Sequence, residues 1–96
     1  MPFNSQRYDI NGQWNPVAGV YGVTNAQQQM IYIGQTDDFQ RRFFEHAKDM
    51  SHCLHKYGPR FVFAEVIQDQ RTRDVREAQL IAEFNPPCNR QHPTGR

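Results

Sequence analysis

The chain has 96 residues, a formal net charge of +1 and 38% hydrophobic residues, which predicts a single domain with a modest core. The charge does not by itself indicate a nucleic-acid binder, so any basic surface must arise by local clustering. No apolar run is long enough to span a membrane and no hydrophobic segment follows a basic start, so we expect no membrane contact and a cytoplasmic protein.

An irregular lead-in is predicted for residues 1–16. The segment is polar, and its Asn-Gly and Asn-Pro pairs are typical of turns and loops. We expect Tyr8, Ile10 and Trp14 to pack on the core, and we expect no functional residue in this segment.

A β-hairpin is predicted for residues 19–34. Apolar runs at 20–23 and 30–33 flank the polar segment Thr-Asn-Ala-Gln-Gln-Gln, which is typical of a turn. Neither run alternates strictly between apolar and polar residues, so we expect both faces of the strands to be covered. Tyr21 and Tyr32 lie in sister strands, so their hydroxyls can converge on one polar site.

A helix is predicted from Phe39 to Met50. The preceding Thr-Asp-Asp segment supplies an N-cap and acidic residues that complement the helix dipole. Spacings of four, four and three predict a buried stripe that consists of Phe39, Phe43, Ala47 and Met50.

Polar residues of this helix fall on two different flanks. Arg42 and His46 lie beside the buried stripe, one turn apart, whereas Arg41 and Glu45 form an i, i+4 pair that suits a solvated flank. The alternative for Arg42 is an ordinary surface arginine whose stem covers apolar area.

Three further elements follow in the sequence. A short helix is predicted at 51–57, a strand at 61–68, and a final helix at 72–84 that an Asn-Pro-Pro segment ends. The last residues, 91–96, are predicted to form a flexible tail.

The final helix carries a carboxylate on its apolar face. The residues at i, i+3, i+4 and i+7 of that face are Glu77, Leu80, Ile81 and Phe84. A capping box with Asp74, or an ion pair with Arg73 or Arg76, would explain Glu77 without a functional role.

These side chains together suit phosphoryl chemistry. A carboxylate holds a divalent cation, an arginine neutralises charge that develops on a phosphate, and a phenol or imidazole orients or deprotonates water. Glu77 is the one well-placed carboxylate, which fits a single hard cation that retains several waters.

The same residues resemble the GIY-YIG nuclease family. Its members carry Gly-Ile-Tyr and Tyr-Ile-Gly triplets on adjacent strands, then a helix with an arginine, a later helix with a glutamate, and a terminal asparagine. The triplets here read Gly-Val-Tyr at 19–21 and Tyr-Ile-Gly at 32–34, and the matching single residues are Arg42, His46, Glu77 and Asn89. The resemblance covers residues 17–90.

Two positions depart from the family pattern. Val20 replaces the usual isoleucine, which is a mild change. Gln35 stands directly after the second triplet, where many members carry Lys or Arg. The resemblance therefore implies the loss of a possible phosphate contact or of a cation that lowers the pKa of a tyrosine.

The resemblance implies an α+β fold, in which a small three-stranded antiparallel sheet is flanked by helices in the order β-β-α-α-β-α. The implied activity is endonucleolytic hydrolysis of DNA phosphodiester bonds, by water attack with a single Mg²⁺ or Mn²⁺ ion. Duplex, single-stranded and branched DNA stay open as substrates, as do RNA, a homodimer and a targeting partner protein.

Each matched residue then has an implied role. Glu77 would bind the metal, and Arg42 would contact the equatorial oxygens of the transition state. Tyr21 would position or deprotonate the water with help from Tyr32 and His46. The remaining assignments are a buttressing role for Asn89 and substrate binding for Gly34, Gln35 and Arg41.

Two alternatives carry no catalysis. One is an inactive nucleic-acid-binding or partner-docking domain of the same fold. The other is a zinc-stabilised module, whose ligands would come from His52, Cys53, His55, Cys88 and His92. Because two cysteines are too few for a disulfide framework, we otherwise expect free thiols in a reducing cytosol.

Overall fold

The structure is a computed structural model that describes residues 3–48 and 53–90. The elements in chain order are β1 (Tyr8–Asp9), β2 (Gly19–Thr24), β3 (Met30–Thr36), α1 (Phe39–Lys48), a 3₁₀ turn (Cys53–Tyr57), β4 (Phe61–Val66), α2 (Gln70–Phe84) and a second 3₁₀ turn (Pro87–Arg90). All strand pairs are antiparallel, in the order β1-β4-β2-β3. None of the helices in the described ranges combines the length and apolar character that crossing a membrane requires.

The predicted α+β fold is confirmed, with one strand more than expected. The three predicted strands lie side by side in the sheet, and the two-residue β1 adds to it by pairing with β4. Residues 1–16 are therefore not wholly irregular. Ile10 and Trp14 pack against the core as predicted, whereas Tyr8 is exposed, with its ring in contact with that of Trp14.

The hairpin strands are covered on both faces, as their sequence predicts. Tyr21 and Val23 contact a core cluster that includes residues of α1, whereas Val20 contacts Leu80 of α2 on the opposite face. The register also shifts near Val23, which leaves Ile31 as an extra residue in β3. This bulge is a second reason why the apolar pattern does not alternate strictly.

Helix α1 begins where the sequence predicts, but its buried face is rotated. The Asp38 carboxylate accepts the backbone N–H of Arg41 at 2.9 Å and so caps the helix. Phe39 and Phe43 are buried as predicted, whereas Ala47 is exposed and His46 is buried in its place. Positions 39, 43 and 46 lie within a narrower arc of the helix than 39, 43 and 47. The predicted Met50 lies outside the described residues.

The two neighbouring arginines of α1 have other partners than expected. Arg41 pairs with Asp37 rather than with Glu45, and the Glu45 carboxylate lies 3.6 Å from the guanidinium of Arg42. Both Arg41 and Glu45 remain exposed, as predicted for a solvated flank.

Helix α2 begins two residues earlier than predicted. The Asp69 carboxylate caps it by accepting the backbone N–H of Thr72 at 2.8 Å. Asn85, in the left-handed conformation with φ of 44°, ends it by donating its backbone N–H to the Ile81 carbonyl. Since Asp69 is the N-cap, a capping box formed by Asp74 and Glu77 is excluded.

Cys53 and Cys88 form a disulfide that links the two 3₁₀ turns. Their Cα atoms lie 5.7 Å apart, and both residues are buried. The expectation of free thiols is therefore wrong. It relied on the number of cysteines and on an assumed compartment, whereas the fold brings these two residues, 35 positions apart, into contact.

An ion pair joins the sheet to α2. The Arg76 guanidinium donates to both carboxylate oxygens of Glu65 in β4 at 2.9 Å, and Glu65 also accepts the backbone N–H of Asn4. Burial raises the pKa of Glu65, but the hydrogen bonds and charge of Arg76 outweigh it and hold this pKa below its usual value.

Replacing Arg76 with methionine should lower the free energy of unfolding by about 1–3 kcal/mol at pH 7, because a largely buried carboxylate loses its partner. A carboxylate with a lowered folded pKa stabilises the fold above its unfolded pKa of about 4.3, and this contribution disappears as the pH falls through the folded pKa. The difference between wild type and variant should therefore shrink below about pH 4.

Urea unfolding at pH 7 and pH 3 measures this difference. Arg71→Met, at an exposed position of the same helix, is the matched control and should show little change. An equal loss of stability at both pH values would contradict the role of the ion pair.

Candidate functional site

The hydroxyl of Tyr21 is the centre of a buried polar cluster. It lies 2.9 Å from Nε2 of His46 and accepts a hydrogen bond from Nε of Arg42 at 3.3 Å. Tyr21 is fully buried, and His46 is 5% exposed. Because α1 carries both partners one turn apart, the packing of this helix against β2 brings three predicted site residues together.

Tyr32 packs beside this cluster. Its ring centroid lies 6.2 Å from that of Tyr21 and 6.0 Å from the imidazole of His46. The two tyrosines predicted to converge therefore do so, on the face of the sheet that α1 covers.

Burial controls the protonation of both phenols. It raises the pKa of Tyr21 well above the usual range for tyrosine, and the charge of Tyr32 raises it further, whereas Arg42 lowers it. Burial also raises the pKa of Tyr32, again against the effect of Arg42. Both phenols are therefore neutral at pH 7, and each can donate a hydrogen bond.

Glu77 of α2 is a buried carboxylate whose charge acts on this cluster. It is 5% exposed, and its Oε1 accepts a hydrogen bond from the side-chain amide of Gln35 at 2.9 Å. Its negative charge contributes to the raised pKa of both Tyr21 and Tyr32. Arg76, one of the proposed ion-pair partners of Glu77, instead binds Glu65.

An open groove of about 440 Å³ lies beside these residues. Its walls come from the end of β3, from α1 and from α2, and the lining residues are Gln35, Thr36, Asp37, Arg41, Arg42, Glu45, Gln70, Arg73 and Asp74. The groove thus gives solvent access to the guanidinium of Arg42, whose side chain is 23% exposed.

The residues predicted to bind substrate have different positions. Arg41 lines the groove but is paired with Asp37. Gly34 is buried in β3 directly opposite Tyr21. Gln35 lines the groove too, yet it is only 6% exposed and its side chain bonds to α2.

Asn89 secures the free side of β3. Its Oδ1 accepts the backbone N–H of Ile33 at 2.7 Å, and its Nδ2 donates to the backbone carbonyl of Ile33 at 2.8 Å. β3 is the edge strand of the sheet, so the Asn89 amide takes the place of a neighbouring strand at the residue between Tyr32 and Gly34.

Sequence reasoning missed a hydrogen-bond network that surrounds Gln35. The amide of Gln35 contacts Gln70, Arg73, Asp74 and Glu77, all on α2. The signal was present in the sequence, because these four residues recur at the i, i+3, i+4 and i+7 spacing of one helix face.

The zinc alternative fails within the described ranges. Cys53 and Cys88 are bonded to each other, and Nε2 of His55 lies 2.8 Å from the backbone carbonyl of His46. His52 and His92 lie outside those ranges. No group of three or more His, Cys, Asp or Glu residues within them has the geometry to hold a metal.

A family model described as the GIY-YIG catalytic domain matches residues 17–91. The comparison with curated proteins found no match.

Solved structures share the fold. The magnesium-bound N-terminal GIY-YIG endonuclease domain of UvrC from Thermotoga maritima is 22% identical, with a TM-score of 0.69 over 79% of this chain and 86% of that chain. A point mutant of the same domain, bound to its catalytic divalent cation, is 21% identical, with a TM-score of 0.66 over 77% and 83%.

Replacing Asn89 with alanine should lower the free energy of unfolding by about 1–3 kcal/mol for each backbone group of Ile33 that loses its partner. Urea unfolding monitored by circular dichroism measures this loss. Asn11→Ala, in an exposed turn, is the control and should unfold like the wild type. An Asn89→Ala variant of wild-type stability would show that the edge of β3 does not depend on this amide.

Proposed function

The chain belongs to the GIY-YIG family, and we propose that it is a metal-dependent endonuclease that hydrolyses phosphodiester bonds in DNA. The observation that carries this proposal is the buried contact of β2 and α1 at one hydroxyl, together with a buried carboxylate on α2 whose charge acts on the same phenol. Tyr21 comes from β2, Arg42 and His46 from α1, and Glu77 from α2. A phenol, a guanidinium and a carboxylate can together serve phosphodiester hydrolysis, by orienting water, neutralising phosphate charge and holding a cation.

We propose Mg²⁺ or Mn²⁺ as the cofactor, with Glu77 as its protein ligand. The donor set fits, because Mg²⁺ is commonly bound by one or two carboxylates together with phosphate oxygens and waters. When bound, the ion would polarise the scissile phosphate and stabilise the leaving oxygen. The UvrC domain with the same fold is described as bound to its catalytic magnesium, which supports the choice.

Arg42 has the position of a phosphate clamp. Its Nε donates to the hydroxyl of Tyr21, its Nη1 lies 3.6 Å from a carboxylate oxygen of Glu45, and its side chain lines the groove. A guanidinium presents several donors in a fixed plane. Arg42 can therefore hold the phenol with one nitrogen and donate to the equatorial phosphate oxygens with the others.

Tyr21 and His46 are proposed to act together on the attacking water. The neutral phenol orients the water by a hydrogen bond, and its oxygen accepts the water proton while its own proton moves to Nε2 of His46, 2.9 Å away. This relay avoids a free phenolate, which burial disfavours. Tyr32 packs against the rings of Tyr21 and His46 and helps to exclude bulk water.

The groove indicates how the substrate is held. Three arginines and three carboxylates line it, and Arg41 is paired with Asp37 while Arg73 donates to backbone carbonyls. Arg42 is thus the principal cation for a phosphate. We propose that binding depends on the shape of the DNA at the cleavage site more than on a broad basic surface.

Cleavage of labelled single-stranded, duplex and branched DNA with Mg²⁺ or Mn²⁺ tests the proposal. Glu77→Gln removes the charge that holds the cation, so it should cost more than the about 10²- to 10⁴-fold that loss of a general base typically costs. Arg42→Ala should lower the rate by about 10²- to 10³-fold through loss of transition-state stabilisation.

Exposed Glu83 and Arg71 offer matched controls, and Glu83→Gln and Arg71→Ala should cut like the wild type. Wild-type cleavage by Glu77→Gln would refute the metal assignment. Binding of every substrate without any cutting would instead indicate a catalytically inactive nucleic-acid-binding domain.

Replacing Tyr21 with phenylalanine should lower the cleavage rate by about 10²- to 10⁴-fold, because the relay loses its hydroxyl while the ring still fills the core. Single-turnover cleavage measures the chemical step. Tyr57→Phe, at a partly exposed tyrosine of the first 3₁₀ turn, should have no effect. A Tyr21→Phe variant that retains the wild-type rate would show that another group acts on the attacking water.

A further inference from the structure

The side-chain amide of Gln35 bridges two carboxylates of α2. Its Nε2 donates to Oδ1 of Asp74 at 2.7 Å and to Oε1 of Glu77 at 2.9 Å. An amide nitrogen carries two hydrogens, so one hydrogen serves each carboxylate. The donor capacity of this amide is therefore fully used within the protein, and none of it faces a substrate.

The carbonyl end of the same amide is also held. Its Oε1 accepts from Nε2 of Gln70 at 2.8 Å and lies 3.4 Å from Nε of Arg73. Arg73 is buried, and it also donates to the carbonyls of Ile67 and Gln68 in the segment that leads into α2. Both ends of the Gln35 amide are thus fixed, and the amide can have only one orientation.

The position of Gln35 in the sheet explains what this network achieves. Gln35 lies on β3 opposite Val20, on the face that α2 covers, and its amide meets the carboxylate of Glu77 there. A glutamate side chain has several rotatable bonds and adopts one rotamer only when its carboxylate is held. Gln35 supplies that hold from the strand side.

We propose that Gln35 is a positioning residue that fixes the Glu77 carboxylate for the divalent cation, and not a residue that contacts DNA. This inference rests on the proposed function, since it assigns a role toward the metal site proposed there. It replaces the expected substrate contact at position 35, because the amide is 6% exposed and bonded on both sides.

The expected magnitude follows from other metal sites. Loss of a group that orients a metal ligand typically costs about 10- to 100-fold in metal affinity or activity. Gln35→Met keeps the length and approximate volume of the side chain but removes both the donor and the acceptor. Its dissociation constant for Mn²⁺ should therefore rise by about 10- to 100-fold.

Calorimetric titration of the metal-free full chain with MnCl₂ measures this change. Gln79→Met, the same substitution at an exposed position of α2, is the matched control and should bind Mn²⁺ like the wild type. In cleavage assays, raised Mn²⁺ should restore activity to Gln35→Met but not to Glu77→Gln. A purely structural defect would not respond to the metal concentration.

A measurement on the wild-type chain covers the case in which Gln35→Met does not fold. In a ¹H–¹⁵N spectrum, the side-chain amide signals of Gln35 should shift when MgCl₂ is added. The reason is that the Glu77 carboxylate, which accepts a hydrogen bond from this amide, would then bind the cation. The side-chain signals of Gln40, exposed on α1, should not shift. In Glu77→Gln, the shift at Gln35 should disappear.

These experiments distinguish a failure of the role proposed for Gln35 from a failure of the proposed function. Wild-type protein that binds Mn²⁺ and cuts DNA, together with a folded Gln35→Met variant of equal Mn²⁺ affinity, overturns the role of Gln35 alone. The role of Gln35 is also overturned if the signals of Glu77 shift on addition of Mg²⁺ while those of Gln35 do not. Wild-type protein without affinity for either ion overturns the metal site and this inference together.

Discussion

The central position of β2 is the constraint on which the site depends. This strand pairs with β3 on one side and with β4 on the other, so Tyr21 lies in the middle of the sheet between Gly34 and Ala64. Both neighbours are small, which leaves room above them for a phenol and for the two α1 side chains that bind it. A shift of the register by one residue would turn Tyr21 to the α2 face and separate it from Arg42 and His46.

Burial of the site away from solvent sets its chemistry. Burial keeps the phenols neutral, and it strengthens the interaction between each remaining charge and its partner. Arg42 of α1 and Glu77 of α2 act on the phenols with opposite charge, since Arg42 lowers and Glu77 raises the pKa of both tyrosines. This arrangement suits an anionic substrate and a cation that together complete the charge balance.

Two links hold the far end of the chain against the site. The amide of Asn89 pairs with the backbone of β3 beside Tyr32, and the adjacent Cys88 is bonded to Cys53. A turn of four residues has little stability of its own. The disulfide and the amide therefore keep the edge of β3 in place, where a sheet with a further strand would use that strand.

The sequence by itself determined the order of the main elements and the residues that we propose for the site. Local periodicity, caps and turn residues act over a few positions, so they predict the hairpin and both helices. The same patterns place Arg42 beside a buried stripe and Glu77 on an apolar helix face. The tertiary structure alone decided the partners. The rotation that buries His46, the disulfide of Cys53, and the burial of Gln35 against α2 depend on contacts between residues far apart in the chain, and no local pattern records the geometry of such contacts.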